Sequence, residues 1–162
     1  MGWFAVIDAA QDSRLHPLIE QCAGRACLLA GQLDPVLAAA APWLVAIDET
    51  EPLAGIWRAH GIGRNWGILC EAESSLEQMR KHFRRFLQAV LPDGTVALFR
   101  FYDPRVFAAY LPTAPDDQLY RWFDGVTRYA VEAAGGGQHR YRLSQGRLFD
   151  GDAPARAELA GA

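Results

Sequence analysis

With 162 residues, 16 Lys and Arg against 19 Asp and Glu, and a net charge of −3, the chain suits one domain that buries a core unaided. A nucleic-acid domain would carry a strong basic excess, which this balance excludes. No apolar run reaches the ~20 residues of a membrane-spanning helix.

Strand and helix signals alternate from the start. WFAVID (3–8) reads as a buried strand, and SRLHPLIEQC (13–22) as a short helix with Pro17 in its first turn. ACLLA (26–30) is a second strand. Asp34 and Pro35 supply the N-cap and first-turn proline of a helix over 34–40. WLVAID (43–48) echoes the first strand, and a helix over 51–60 ends at Gly61. After the strand WGILCEA (66–72), a long helix is predicted over 74–91. Ser74 and Glu77 form its capping box, and Leu76, Met79, Phe83, Phe86, Leu87 and Val90 recur at helical spacing. Pro92-Asp93-Gly94 turns the chain into a strand over 95–102, and Asp103-Pro104 opens the next helix. A helix over 115–123 follows, then a hairpin of strands 126–133 and 139–149 around Gly135–Gly137. Residues 151–162 lack periodicity and are expected to fray, leaving 1–150 as the domain. The expected architecture is an α/β single domain with a mixed, mostly parallel sheet flanked by helices and a C-terminal antiparallel hairpin.

Three cysteines, Cys22, Cys27 and Cys70, form an odd set, and the N-terminus lacks the basic region of a signal peptide. Both features point to a reducing, cytoplasmic setting. Cys22 and Cys27 find no second ligand pair at zinc-site spacing, and Cys70 reads as a small core residue, so neither a metal nor another cofactor is expected. GIGRNWG (61–67) looks like a phosphate loop, but it follows a helix and precedes a strand, the reverse of the required order, so it reads as a turn. His82 falls between polar neighbours and reads as solvated. Arg80, Lys81, Arg84 and Arg85 make a basic stripe opposite the apolar face of the long helix. Such a stripe is a solvated face or a site for an acidic partner.

Several strands end in an acid: Asp8, Asp48, Glu71 and Asp103. In a parallel sheet those ends share one edge, where ligands bind. They are helix caps, with Asp103 before Pro104 and Asp48 before Glu51, or together they are an acidic cluster able to hold a metal. The segment LFRFYDPRV (98–106) raises a second question. Arg100 interrupts an apolar run, on the same predicted face as Leu98 and Tyr102. If that face is covered, its guanidinium needs a carboxylate, and losing it would cost roughly 3 kcal/mol. Arg105, in a helix's first turn, opposes the macrodipole at a cost of ~0.3–1 kcal/mol. Keeping both suggests a wired polar junction.

The combination of WFAVIDAA, PWLVAI, the long segment from NWGILC through HFRRFL and PDG to FRFYDPRVFAAYLP, and LYRWFDGV resembles the adaptor chaperones of bacterial type VI secretion, a group long filed as a domain of unknown function. The likeness spans about residues 3–126. It implies a non-catalytic adaptor that binds a cognate toxin in the donor cytoplasm and helps load it onto the valine-glycine-repeat spike protein, with no nucleic-acid or membrane partner. The family-motif positions are Arg84, Arg85, Arg100, Tyr102, Asp103, Pro104 and Arg105, as structural or contact residues. The alternative reading is a metal-dependent hydrolase or phosphoryl-transfer enzyme using the acids at the carboxyl edge of the sheet.

Overall fold

In a computed structural model of the chain, residues 1–156 are described. Among these residues, ten strands and six α-helices succeed one another, with three short helical turns between them. The strands are β1 (Gly2–Asp8), β2 (Arg25–Cys27), β3 (Pro42–Ala46), β4 (Gly67–Ala72), β5 (Gln88–Val90), β6 (Val96–Leu98), β7 (Val126–Glu132), β8 (Gln138–Ser144), β9 (Arg147–Asp150) and β10 (Ala153–Pro154). The helices are α1 (Leu15–Glu20), α2 (Pro35–Ala40), α3 (Pro52–Ile56), α4 (Leu76–Arg84), α5 (Pro104–Tyr110) and α6 (Asp116–Trp122).

Eight strands form one sheet in the order β10-β9-β8-β7-β4-β1-β3-β2, while β5 and β6 pair separately. The α/β class holds, but the mostly parallel sheet does not: every neighbouring pair is antiparallel. The alternation of strand and helix is real, and β3 and β4, joined through α3, do run the same way. However, β1 lies between them, antiparallel to both. Likewise β3 separates β1 from β2. A crossover signal fixes the direction of the two strands it joins, not what fills the gap between them.

The central strand is buried on both faces because its residues alternate between two cores. Phe4 and Val6 face a large cluster with Leu44, Ile68, Phe83, Phe101, Phe107, Trp122 and Tyr129, under α4, α5 and α6. Ala5 and Ile7 face a smaller one with Leu15, Ile19, Val45, Leu53 and Trp66, under α1 and α3. Where β4 enters the sheet, Gly67 is required: a Cβ there would lie 2.1 Å from the Val6 carbonyl oxygen.

The long helix predicted over 74–91 is half that length. Its capping box sits one residue on: the Ser75 hydroxyl accepts from Gln78 N–H at 3.2 Å and Gln78 Oε1 accepts from Ser75 N–H at 2.8 Å. α4 stops at Arg84, and Gln88–Val90 becomes a strand against Val96–Leu98. Pro92-Asp93-Gly94 is thus a hairpin turn, closed by Leu91 N–H on Thr95 C=O and by Asp93 Oδ1 accepting from Thr95. The predicted strand 139–149 also splits in two at Gln145-Gly146, both with positive φ as a tight two-residue hairpin turn demands. At the end of the described chain, β10 pairs with β9, and Arg156 donates to Pro112 C=O and Asp116. The rest of the segment expected to fray, 157–162, lies outside the described residues.

Candidate partner-binding site

Strand β6 ends at Leu98, earlier than the sequence pattern suggests, and residues 99–103 turn the chain into α5. Asp103 N–H donates to Arg100 C=O at 3.0 Å, closing the turn. Two aromatic side chains drive it inward. Phe101 is fully buried, stacked on Phe83 and edge-on to Trp122, and Tyr102 is buried beside it. The arginines stay outside. Arg100 Nη2 donates to Asp8 Oδ2 at 2.6 Å, so the carboxylate that Arg100 finds is the strand-end acid Asp8. Asp8 is buried and accepts further bonds from Ala10 N–H and Gln11 Nε2, while the Arg100 side chain is half exposed.

Arg105 folds back on its own helix cap. Asp103 Oδ1 caps α5 by accepting from Arg105 N–H at 2.9 Å, and the two carboxylate oxygens take Arg105 Nε and Nη2 at 3.0 and 2.8 Å. The bidentate pair answers the macrodipole question: the cation in the first turn is neutralised one residue away from the helix. Burial works to raise the Asp103 pKa, but the Arg105 bonds outweigh it and leave the carboxyl below its usual value. Tyr102 shifts upward through burial and the nearby Asp8 charge. Pro104, buried, holds the first helical position. Arg100, Tyr102, Asp103, Pro104 and Arg105 therefore form one junction that pins the segment between β6 and α5 to the end of β1.

Arg84 and Arg85 lie apart from that junction. Arg84 ends α4, exposed. Arg85 donates to His82 Nδ1 at 3.0 Å and lies 3.7 Å from Asp124. His82 is buried, not solvated, because the helix turns it toward Phe83, Phe86 and Tyr129. With Arg85 donating to Nδ1, Nε2 carries the proton and donates to the Tyr129 hydroxyl at 3.3 Å, which in turn donates to Trp122 C=O at 2.5 Å. Burial, aided by the Arg85 charge, lowers the His82 pKa to about 4. Arg80, of the same stripe, turns inward and donates to Cys27 C=O.

The four strand-end acids do not converge on one site: Asp8 and Asp103 flank the junction, each held by its own arginine, and the other two lie elsewhere. Asp8 lies at one end of β1, whereas Glu71 opposes Trp3 at the other, and Asp48 follows the β3 residue that opposes Phe4. Each has its own donors: Asp48 binds the Thr50 amide and hydroxyl, and Glu71 pairs with Arg128 across the sheet. Asp48 is not the N-cap of α3, a place taken by Glu51.

The feature the sequence reading missed is the β5–β6 hairpin. Val90, Val96 and Leu98 are 75%, 60% and 53% exposed, with Leu91 also exposed at the turn. Beside it runs a groove of about 550 Å³ lined by Phe86, Phe99, Tyr110 and Trp122, with Arg85 and Arg121 among its polar residues. The junction positions both walls, since Phe99 precedes Arg100 and Tyr110 closes α5. The hairpin signal was present in QAV-LPDGT-VAL, apolar triplets around a Pro-Asp-Gly turn.

By fold and site, the chain is a small α/β domain on an antiparallel sheet, with an apolar hairpin exposed beside an aromatic groove. It belongs to the family described as a domain of unknown function, DUF4123, which matches residues 3–121. No curated protein and no solved structure gives a significant match.

Proposed function

We propose that the chain is a non-catalytic adaptor chaperone of type VI secretion, which binds a cognate toxin in the cytoplasm and helps load it onto the valine-glycine-repeat spike protein. The observation that carries this reading is the exposed apolar hairpin beside the groove. A monomeric domain gains nothing for its own stability from Val90, Val96 and Leu98 standing in water, and exposed apolar patches rimmed by polar residues mark protein-docking surfaces. The sequence resemblance around FRFYDPRV supplies the kind of partner, and the junction supplies a rigid base for the hairpin.

The metal-dependent reading rested on acids gathered at one sheet edge. The register places Glu71 and Asp48 roughly 16–20 Å from Asp8, five or six residues along the strands, so these acids lend that reading no support.

In the adaptor family that the sequence resembles, the gene usually lies between those of spike and toxin, so co-expression of the tagged chain with the products of its two neighbouring genes tests the proposal. The expected result is co-purification of the toxin with the chain and recruitment of the spike protein to that complex. Recovery of the chain alone, free of both, overturns it.

A further inference from the structure

Among the described residues the hairpin stands as its own two-stranded sheet, so each strand keeps one unpaired edge. Leu91 N–H donates to Thr95 C=O, and Phe99 N–H to Leu87 C=O. Residues 87, 89 and 91 therefore aim their backbone groups at β6. By strand alternation, the N–H and C=O groups of Gln88 and Val90 point the other way, off the free edge of β5. That edge borders the groove, which Gln88, Ala89 and Val90 line and β6 does not. Natural sheets blunt such edges with charge, proline or a covering element. Gln88-Ala89-Val90 carries neither charge nor proline.

The groove itself is amphipathic. Its aromatic walls are rimmed by two guanidinium groups, Arg121 at 5.9 Å and Arg85 at 6.0 Å from the Phe86 ring. Asp124, 3.7 Å from Arg85, is a weak and exposed partner, and among the described residues no carboxylate pairs with Arg121. We propose that the free edge of β5 takes an extended segment of a partner protein as an added strand, placing alternate apolar side chains in the aromatic groove and carboxylates against Arg85 and Arg121. That the segment belongs to the toxin rests on the adaptor reading; the mode of binding rests on the edge and groove alone. A second copy of this chain does not fit. Pairing β5 with β5 about a two-fold axis would set the same cationic rim against itself.

The test uses the full chain against overlapping peptides tiling the product of the adjacent toxin gene, and against that intact protein, by fluorescence anisotropy. Val90→Pro deletes an outward N–H and adds ring bulk at the edge, while the hairpin keeps its bonds through residues 87, 89 and 91. Gln88→Pro does the same at the other outward position and replaces it should Val90→Pro melt early. Val90→Ala keeps the edge N–H. Wild type is expected to select peptides that alternate apolar and acidic residues. Val90→Pro weakens that binding by at least about tenfold, Arg121→Glu by about tenfold, and Val90→Ala by about twofold or less. A folded proline variant that binds as well as wild type overturns strand addition and leaves the adaptor reading standing. Wild type that binds the intact toxin but no peptide also overturns it, because an extended segment would then not suffice. Wild type that binds neither overturns the adaptor reading as well. A dimer that Val90→Pro dissociates makes a second copy the occupant, and overturns the proposal too.

Discussion

Strand β1 and the β5–β6 hairpin are built from the same kinds of residue and meet opposite surroundings. Phe4, Ala5, Val6 and Ile7 are each at most 6% exposed, paired on both edges and covered on both faces. Val90, Val96 and Leu98 are paired on one edge and mostly uncovered. Apolar content alone thus does not separate a strand that holds the fold from one held out by it. The number of neighbours around the strand does, and that depends on sequence far away: β3 and β4 enclose β1, whereas only the turn at Pro92-Asp93-Gly94 gives β5 a partner.

The strongest way to break the contrast is a buried charge. Val6→Asp places an unpaired carboxylate at a position 1% exposed, between Leu44 and Ile68. A cost of about 4 kcal/mol or more is expected, enough to abolish a cooperative thermal transition in a domain of ordinary stability. A normal melt would mean that β1 is not the centre of the fold.

A second test turns on pH. His82 sits near 4 in the fold against 6.5 in the unfolded chain, because burial and Arg85 oppose its charge. A depressed folded pKa contributes stability that is present above pH 6.5 and is lost as pH falls toward 4, since the unfolded chain takes up the proton first. That window corresponds to about 3 kcal/mol. Urea melts at pH 7 and pH 4.5 should show a large fall for wild type and a distinctly smaller one for His82→Gln, which does not titrate. Equal falls would place the acid sensitivity elsewhere.

The junction gives a middle-sized effect. Arg100 was expected to lie in a covered face, where its loss would cost roughly 3 kcal/mol. Its side chain is 48% exposed, so solvent screens the pair, and Asp8 retains two other donors. Arg100→Ala should cost about 1 kcal/mol, with most of that from a buried carboxylate left short of one bond. A loss above about 3 kcal/mol would restore the buried-pair picture.

What the sequence made legible is local, and what it hid is long-range. The caps at Asp34 and Asp103, the buried first strand, the core role of Cys70 and a turn within 61–67, at residues 62–65, all follow from neighbouring residues, and the structure has them. Strand order is not local. Nothing within WFAVID says that it will slip between two later strands. The end of α4 was misread for a related reason: Phe86 and Leu87 continue the helical spacing and are buried, yet they are buried from a turn, not from a helix. His82 was misplaced by its polar neighbours in sequence, though its side chain lies among aromatic rings. The motif 98–106 announced a charged junction, and the structure pairs Arg100 with Asp8 and Arg105 with Asp103. The apolar hairpin beside it was overlooked, though its turn signal is in the sequence, because the helix pattern had absorbed Val90.

The smallest stability effect sharpens the contrast most. Val96→Asp makes the same chemical change as Val6→Asp, at a site 60% exposed on the outer face of β6. A solvated carboxylate there has no desolvation penalty to meet, so stability should stay within about 0.5 kcal/mol of wild type. The only like charge near in sequence is Asp93 at the turn, already bonded to Thr95. Partner binding should behave oppositely. Docking would bury the hairpin face, and the new charge would then have to be desolvated, which weakens association by about tenfold or more. A variant that melts like wild type but no longer captures the toxin separates the hairpin's role from the fold's stability. One that melts early shows that Val96 supports the core, and that the hairpin is held in rather than held out.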